Sequence, residues 1–198
     1  MERKEFMYKN MAQILKPTEI GDFKLSTFEV KEDDFYARFR YGIPVGKYVR
    51  LTHHREVVMS NTPMEKRTNY DFIRKAHGNV LIGGLGIGMI VLAIQDNPDV
   101  DHITVVEKHK EVVEMVASQL NLNSKVDIVM ADVFDYKPAD RYNTIYMDIW
   151  SFINSEVYEE EMKPLIYKYR RYLVPKKQDP ESYVDCWCKT EAKKDMMI

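Results

Sequence analysis

Gly84, Gly86 and Gly88 at alternate positions, followed at longer intervals by Glu107, Asp132 and Asp148, are the residues whose types and spacing suit chemistry. Glycines let a ligand approach the main chain closely, and a glycine turn that opens a helix presents backbone N–H groups to it. A carboxylate accepts two hydrogen bonds from a ribose diol, one from an adenine amino group, or a proton from a nucleophile. Such residues make one site only if the fold carries them to a common edge.

The elements needed for that are written around the glycines. Residues 79–88 (NVLIGGLGIG) are a short apolar run that breaks into glycine, and residues 89–94 (MIVLAI) resume it before the breaker pair Asn97-Pro98. Continuous hydrophobicity suits a strand buried on both faces, so the run predicts strand, glycine turn and buried helix. A dinucleotide fingerprint would need glycine or alanine at position 89, where Met89 stands. Residues 102–107 (HITVVE) form a second buried strand ending on Glu107, placed to hold a ribose; residues 108–120 then form an amphipathic helix. Residues 126–130 (VDIVM) are a third strand that ends beside Asp132, placed for an adenine amino group. Residues 143–147 (NTIYM) are a fourth that delivers Asp148. Open α/β sheets bind ligands at the carboxyl ends of their strands, so all four strand ends meet there.

Residues 79–150 resemble the class I (Rossmann-fold) S-adenosylmethionine-dependent methyltransferases, and more narrowly their spermidine synthase-like branch, whose VLIIGGGDGG is similar to VLIGGLGIG here. The resemblance implies that Gly84, Gly86 and Gly88 hold the methionine part of the cofactor, Glu107 the ribose and Asp132 the adenine. It also implies that Asp148 is the base, or the anchor for a substrate amine. The polyamine synthases continue from that acid as D-S-S-D-P, whereas this chain has Asp148-Ile149-Trp150-Ser151-Phe152. The second acid and the proline are absent, as is a recognisable tyrosine-glutamine pair before the glycine strand. The preferred expectation is therefore an S-adenosylmethionine-dependent methyltransferase acting on a small molecule. Two alternatives stay open: aminopropyl transfer from decarboxylated S-adenosylmethionine to a polyamine-like amine, and a non-catalytic binding or assembly protein that keeps the fold.

Outside this unit the sequence is less explicit. Residues 1–20 suggest a short amphipathic helix, with Phe6, Met7, Met11, Ile14 and Leu15 at helical spacing. Three or four short antiparallel strands follow, with an aromatic, alternating one at 35–41 and others at 23–27, 47–52 and 56–59. Thr62, Pro63 and Glu65 predict a capping box that starts a helix running to about Ala76. His53 and His54 are adjacent, so on a strand they point to opposite faces, and no metal site is expected from them. Residues 154–173 predict a helix kinked by Pro164, with its glutamates as a solvated face; Trp150 and Tyr146 are core residues in this reading. Residues 183–189 are a fifth strand carrying Cys186 and Cys188 on one face as buried free thiols.

The fold class expected is α/β: a doubly wound, Rossmann-like, mostly parallel sheet of order 3-2-1-4-5 without a terminal antiparallel pair. A small N-terminal antiparallel β subdomain precedes it. The domains are residues 1–60 and 61–198. A net charge of −2 sets no field that would draw a nucleic acid, and no apolar run reaches the roughly 18 residues of a membrane span. A cytoplasmic location is expected. The free edge at the fifth strand predicts cover by the N-terminal segment or by a second copy, hence a homo-oligomer, most simply a dimer.

Overall fold

The computed structural model describes residues 8–198. Helix α1 (Met11–Ile14) is capped by the Asn10 side chain, and strand β1 (Thr18–Ile20) follows. The expected helix over residues 1–20 is thus one turn in its described part. Lys16-Pro17 ends it, because Pro17 disfavours helical backbone before it and residues 18–20 pair instead with β2. Phe6 and Met7 lie outside the described residues. Strands β2 (Phe23–Val30), β3 (Gly46–His53) and β4 (Glu56–Ser60) complete a four-stranded antiparallel meander, β1-β2-β3-β4.

Residues 35–41 are not the expected strand. The β2–β3 ladder closes at Val30 and Gly46, so residues 31–45 project beyond the sheet with no partner strand. Asp34 accepts the Ala37 N–H at 2.9 Å, and residues Tyr36–Arg40 form a π-helical turn with its aromatic rings in solvent.

The helix expected over 63–76 is two short helices, α2 (Pro63–Thr68) and α3 (Tyr70–Lys75), which meet at the buried Asn69. Strand β5 (Gly78–Gly83), helix α4 (Met89–Ile94), strand β6 (Val100–Glu107), helix α5 (Lys110–Val116), strand β7 (Val126–Met130) and strand β8 (Thr144–Met147) follow as the sequence predicts. Beyond them, α6 (Ser155–Val157), a π-helical turn (Tyr158–Met162) and α7 (Lys163–Arg170) form one helical run. The π turn stands just ahead of Pro164, whose missing N–H and ring cannot be fitted to a regular α register. Strand β9 (Tyr183–Cys186) is shorter than predicted, because Cys188 takes a left-handed backbone (φ 46°) and opens α8 (Lys189–Lys193). Cys186 and Cys188 therefore pack into different cores; both are free and buried.

The five strands β7-β6-β5-β8-β9 form a wholly parallel sheet of order 3-2-1-4-5. Alternation along β5 sends Val80 and Ile82 into one core and Leu81 into the other, which is the signature of a sheet covered on both faces. The first core joins α3, α4 and α5 to the antiparallel sheet; the second is closed by α7 and α8. Among the described residues β9 is an edge strand, and the described part of the N-terminal segment does not cover it. Lys16 exchanges hydrogen bonds of 2.7 and 3.3 Å with Gln119, after α5, on the opposite side of the sheet. No helix of the described residues is long and apolar enough to cross a membrane.

Candidate functional site

A cavity of about 410 Å³ lies between the carboxyl edge of the parallel sheet and the end of the antiparallel sheet. Gly84, Gly86, Glu107, Asp132 and Asp148 all line it, together with Phe23, His53 and residues 57–60 of the antiparallel sheet. Five of the six predicted residues are thus gathered in one place. Gly88 is not among the lining residues: it caps α4 with φ 72°, and a Cβ there would meet Leu120 at 2.2 Å. What the structure gives it is close packing of the helix start.

The glycine turn is tight and internally bonded. Gly84 has φ 91°, and a Cβ on it would lie 2.4 Å from the Asp148 carbonyl oxygen, so the loop and the strand-end acid are in direct backbone contact. Gly86 has φ 52°, and its missing Cβ leaves room for the Met59 sulfur from β4. The free amides expected at this turn are largely spent inside the protein. Gly84 donates to Val106, Leu85 to Glu107, Ile87 to the Met59 sulfur and Gly88 to Leu85. The opening for a ligand comes from absent side chains more than from unpaired N–H groups.

Glu107 is buried and clasps two segments at once: Oε2 accepts the Leu85 N–H at 2.9 Å and Oε1 the His109 N–H at 2.8 Å. A carboxylate has about four lone-pair sites, so acceptor capacity remains for a diol. Asp132 accepts the Phe134 N–H at 2.8 Å and faces Lys108 at 3.8 Å. It caps the following turn and still lines the cavity.

The same cavity is lined by two further acids that have little company. Asp148 is partly buried, and desolvation pushes its carboxyl up to about 7 against the opposing effect of Asn69. Glu65 is 7% exposed; burial, then the Asp148 charge, push it up to about 8, while the Ser60 N–H at 3.4 Å works the other way. The predicted capping box is therefore not formed. Thr62 makes no side-chain cap bond and instead shares a 3.0 Å bond with Ser60, and Glu65 turns toward the cavity. Asn69 explains the break between α2 and α3: its side chain accepts from the Tyr146 hydroxyl at 2.9 Å and donates to the Glu65 carbonyl at 3.2 Å. Tyr8, whose hydroxyl donates to the Lys66 carbonyl, has its ionisation pushed up by burial and by these two acids.

Two indole rings stand beside the acids. Trp187 donates to Thr68 Oγ1 at 2.9 Å and Trp150 donates to Glu161 at 2.7 Å; both rings and Glu161 line the cavity. Trp150 is thus a wall as well as a core residue. Tyr146 stacks on Phe72 at 4.1 Å and belongs to the core. Glu161 leaves the solvated face assigned to its run, whereas Glu159 stays there, paired with Lys163. Asn69 and Trp187 were not singled out from sequence. A polar residue that breaks a helical run was the available signal for the first.

His53 and His54 do not diverge as a strand would require. His53 ends β3, and His54 (φ 48°) and Arg55 (φ 77°) form a left-handed turn that brings the two rings to 4.2 Å.

Neither a protein-family model nor a curated protein sequence matches the chain. Solved structures do resemble it at low identity. One is a DhpI–SAM–HEP complex: TM-score 0.44, 16% identity, covering 57% of this chain and 50% of that one. Another is the N-methyltransferase NodS from Bradyrhizobium japonicum WM9 with S-adenosyl-l-homocysteine: TM-score 0.44, 16% identity, 57% and 58%. A third is the glycopeptide N-methyltransferase MtfA with sinefungin: TM-score 0.42, 17% identity, 55% and 45%. The chain spans about half the length of these structures. Likeness at this level assigns no chemistry to the chain, whose own geometry has to carry it.

Proposed function

We propose that the protein is an S-adenosylmethionine-dependent methyltransferase whose acceptor is a small molecule with a basic nitrogen. The observation that carries this reading is that one cavity is lined both by a side-chain-free loop with Glu107 and Asp132 and by two desolvated carboxyls, Asp148 and Glu65, together with two indole rings.

The glycine loop with Glu107 and Asp132 fits the cofactor. Cβ atoms at Gly84 and Gly86 would not fit the loop as it is built, and Glu107 and Asp132 keep free lone pairs at the ends of β6 and β7. When bound, S-adenosylmethionine supplies a methyl group on a positively charged sulfur, which a nucleophile takes as the thioether departs. Asp148, Glu65 and the two indole rings would receive the acceptor as an ammonium ion. Two carboxyls and two indole faces favour a cation there, and the cation in turn draws the carboxyls to their ionised forms. Asp148 then accepts the ammonium proton and leaves the nitrogen lone pair free to attack. The remaining task is alignment of the nitrogen with the sulfonium methyl group.

The test is calorimetric titration with S-adenosylmethionine and S-adenosylhomocysteine, followed by mass analysis of a panel of amines incubated with enzyme and cofactor. Micromolar binding that weakens in Glu107→Ala is expected. No binding at millimolar ligand, or binding unchanged by that substitution, overturns the reading. Tighter binding of the decarboxylated cofactor would move it to aminopropyl transfer. The same reading has two copies of the chain joined along the free edge of β9, supported by the outer side of that strand, which no strand of the described residues pairs.

A further inference from the structure

At the rim of the cavity, Asp22, His53 and His54 come from two turns that the antiparallel sheet holds side by side. Asp22 sits in the β1–β2 turn, and the two histidines open the β3–β4 turn. Register pairs Phe23 with His53, and the His54 N–H donates to the Asp22 carbonyl at 3.0 Å, so the turns are locked together by backbone. The left-handed pair His54-Arg55 then folds the His54 ring back over His53 instead of across the sheet. As a result one donor atom from each of the three side chains lies within 4.8 Å of the other two, and His54 Nε2 stands 3.5 Å from an Asp22 oxygen.

We propose that Asp22, His53 and His54 form a binding site for a borderline divalent transition-metal ion of the zinc type. Two imidazoles and one carboxylate are the donor set such ions take, and it differs from the all-oxygen sets of calcium and magnesium. Bonds of about 2.0–2.1 Å at tetrahedral angles need donors about 3.3 Å apart. The present spacing closes to that by side-chain rotation alone, since Asp22 and His54 are both exposed. Three protein donors leave a fourth position for water or an incoming ligand. His53 stacks on Phe23 at 4.2 Å, both line the cavity, and His109 stands at the same rim with its ring 5.7 Å from that of His53. The ion would therefore staple the two turns and fix one wall of the cavity entrance. This inference does not depend on which group the cavity transfers.

The experiment uses the full chain stripped of metal with a chelator. Zinc chloride is titrated by calorimetry, and cobalt chloride by the visible absorption of a tetrahedral site. Saturation near one equivalent is expected, with a rise in melting temperature on zinc addition. Asp22→Ala and His54→Ala should each weaken binding by roughly tenfold or more, because each removes one of three ligands. His102→Ala, on β6 and paired with Asp127, should leave it unchanged. No saturable binding at millimolar metal, or equal affinity in wild type and both site variants, overturns the proposal.

Discussion

Burial holds the Asp148 carboxyl near 7 and the Glu65 carboxyl near 8, against ordinary values of 3.8 and 4.5. Between about pH 4 and pH 8 the folded chain therefore binds more protons than the unfolded one, and stability falls as pH rises across that window. Asp148→Asn keeps the shape and removes the charge. It should change stability little at pH 4 and raise it by about 4 kcal/mol at pH 8, measured by urea unfolding. The same substitution should abolish methyl transfer, and in the native protein kcat/KM should climb with pH through about 7 as Asp148 ionises. A stabilising substitution that destroys activity separates a chemical role from a structural one. Glu107 belongs to the opposite case, because both its oxygens hold backbone amides. Glu107→Gln should cost about 1–3 kcal/mol of stability as well as cofactor affinity.

At the scale of elements, the contact between the glycine turn and the end of β8 is a constraint set by backbone, which cannot give way as a side chain can. Gly84→Ala sets a methyl group against the Asp148 carbonyl and a left-handed φ against a side chain. The conformational part alone costs about 1–2 kcal/mol, and a fall in melting temperature together with loss of cofactor binding is expected. A second junction is the clasp ahead of β5 and β9. His77 and Asn143 donate to the same Asp179 oxygen at 2.9 and 2.8 Å. Those bonds lower Asp179 to about 2, and its partners raise His77 despite desolvation. The Asp179 contribution is complete above its ordinary value of 3.8 and is lost as pH falls through about 2. The His77 contribution is complete below 6.5 and is lost as pH rises through its raised value. Asp179→Ala should destabilise the protein by about 1–3 kcal/mol at pH 5, read from thermal unfolding.

What the sequence makes legible follows from this distinction. Strands β5 to β8 and the residues at their ends are visible because a doubly covered strand writes its burial as an unbroken apolar run. Tyr36–Arg40 misleads, since alternating aromatics mimic a strand and nothing local says that no partner strand exists. Glu65 and Asn69 are partly hidden, because their surroundings are set by residues about 80 positions away: Asn69 accepts from Tyr146, and Glu65 faces the Asp148 charge. The histidine turn is hidden too, because positive φ at two non-glycine residues defeats the alternation rule applied to His53 and His54.

For the whole molecule, the exposed edge of β9 sets the expectation for assembly. Pairing of two copies along it predicts a dimer in light scattering and slow amide exchange across Tyr183–Cys186. A monomer with fast exchange there would rule the pairing out. A broader consequence follows from the two cores. Phe23, Leu25, Val49, Leu51 and Met59 of the antiparallel sheet pack only into the core on one face of the parallel sheet, while α7 and α8 close the other without them. Cavity-lining residues of the antiparallel sheet can therefore be exchanged, by drift or by chimera, without repacking the far core, whereas an exchange of Trp150, which lines the cavity from that core, would disturb it.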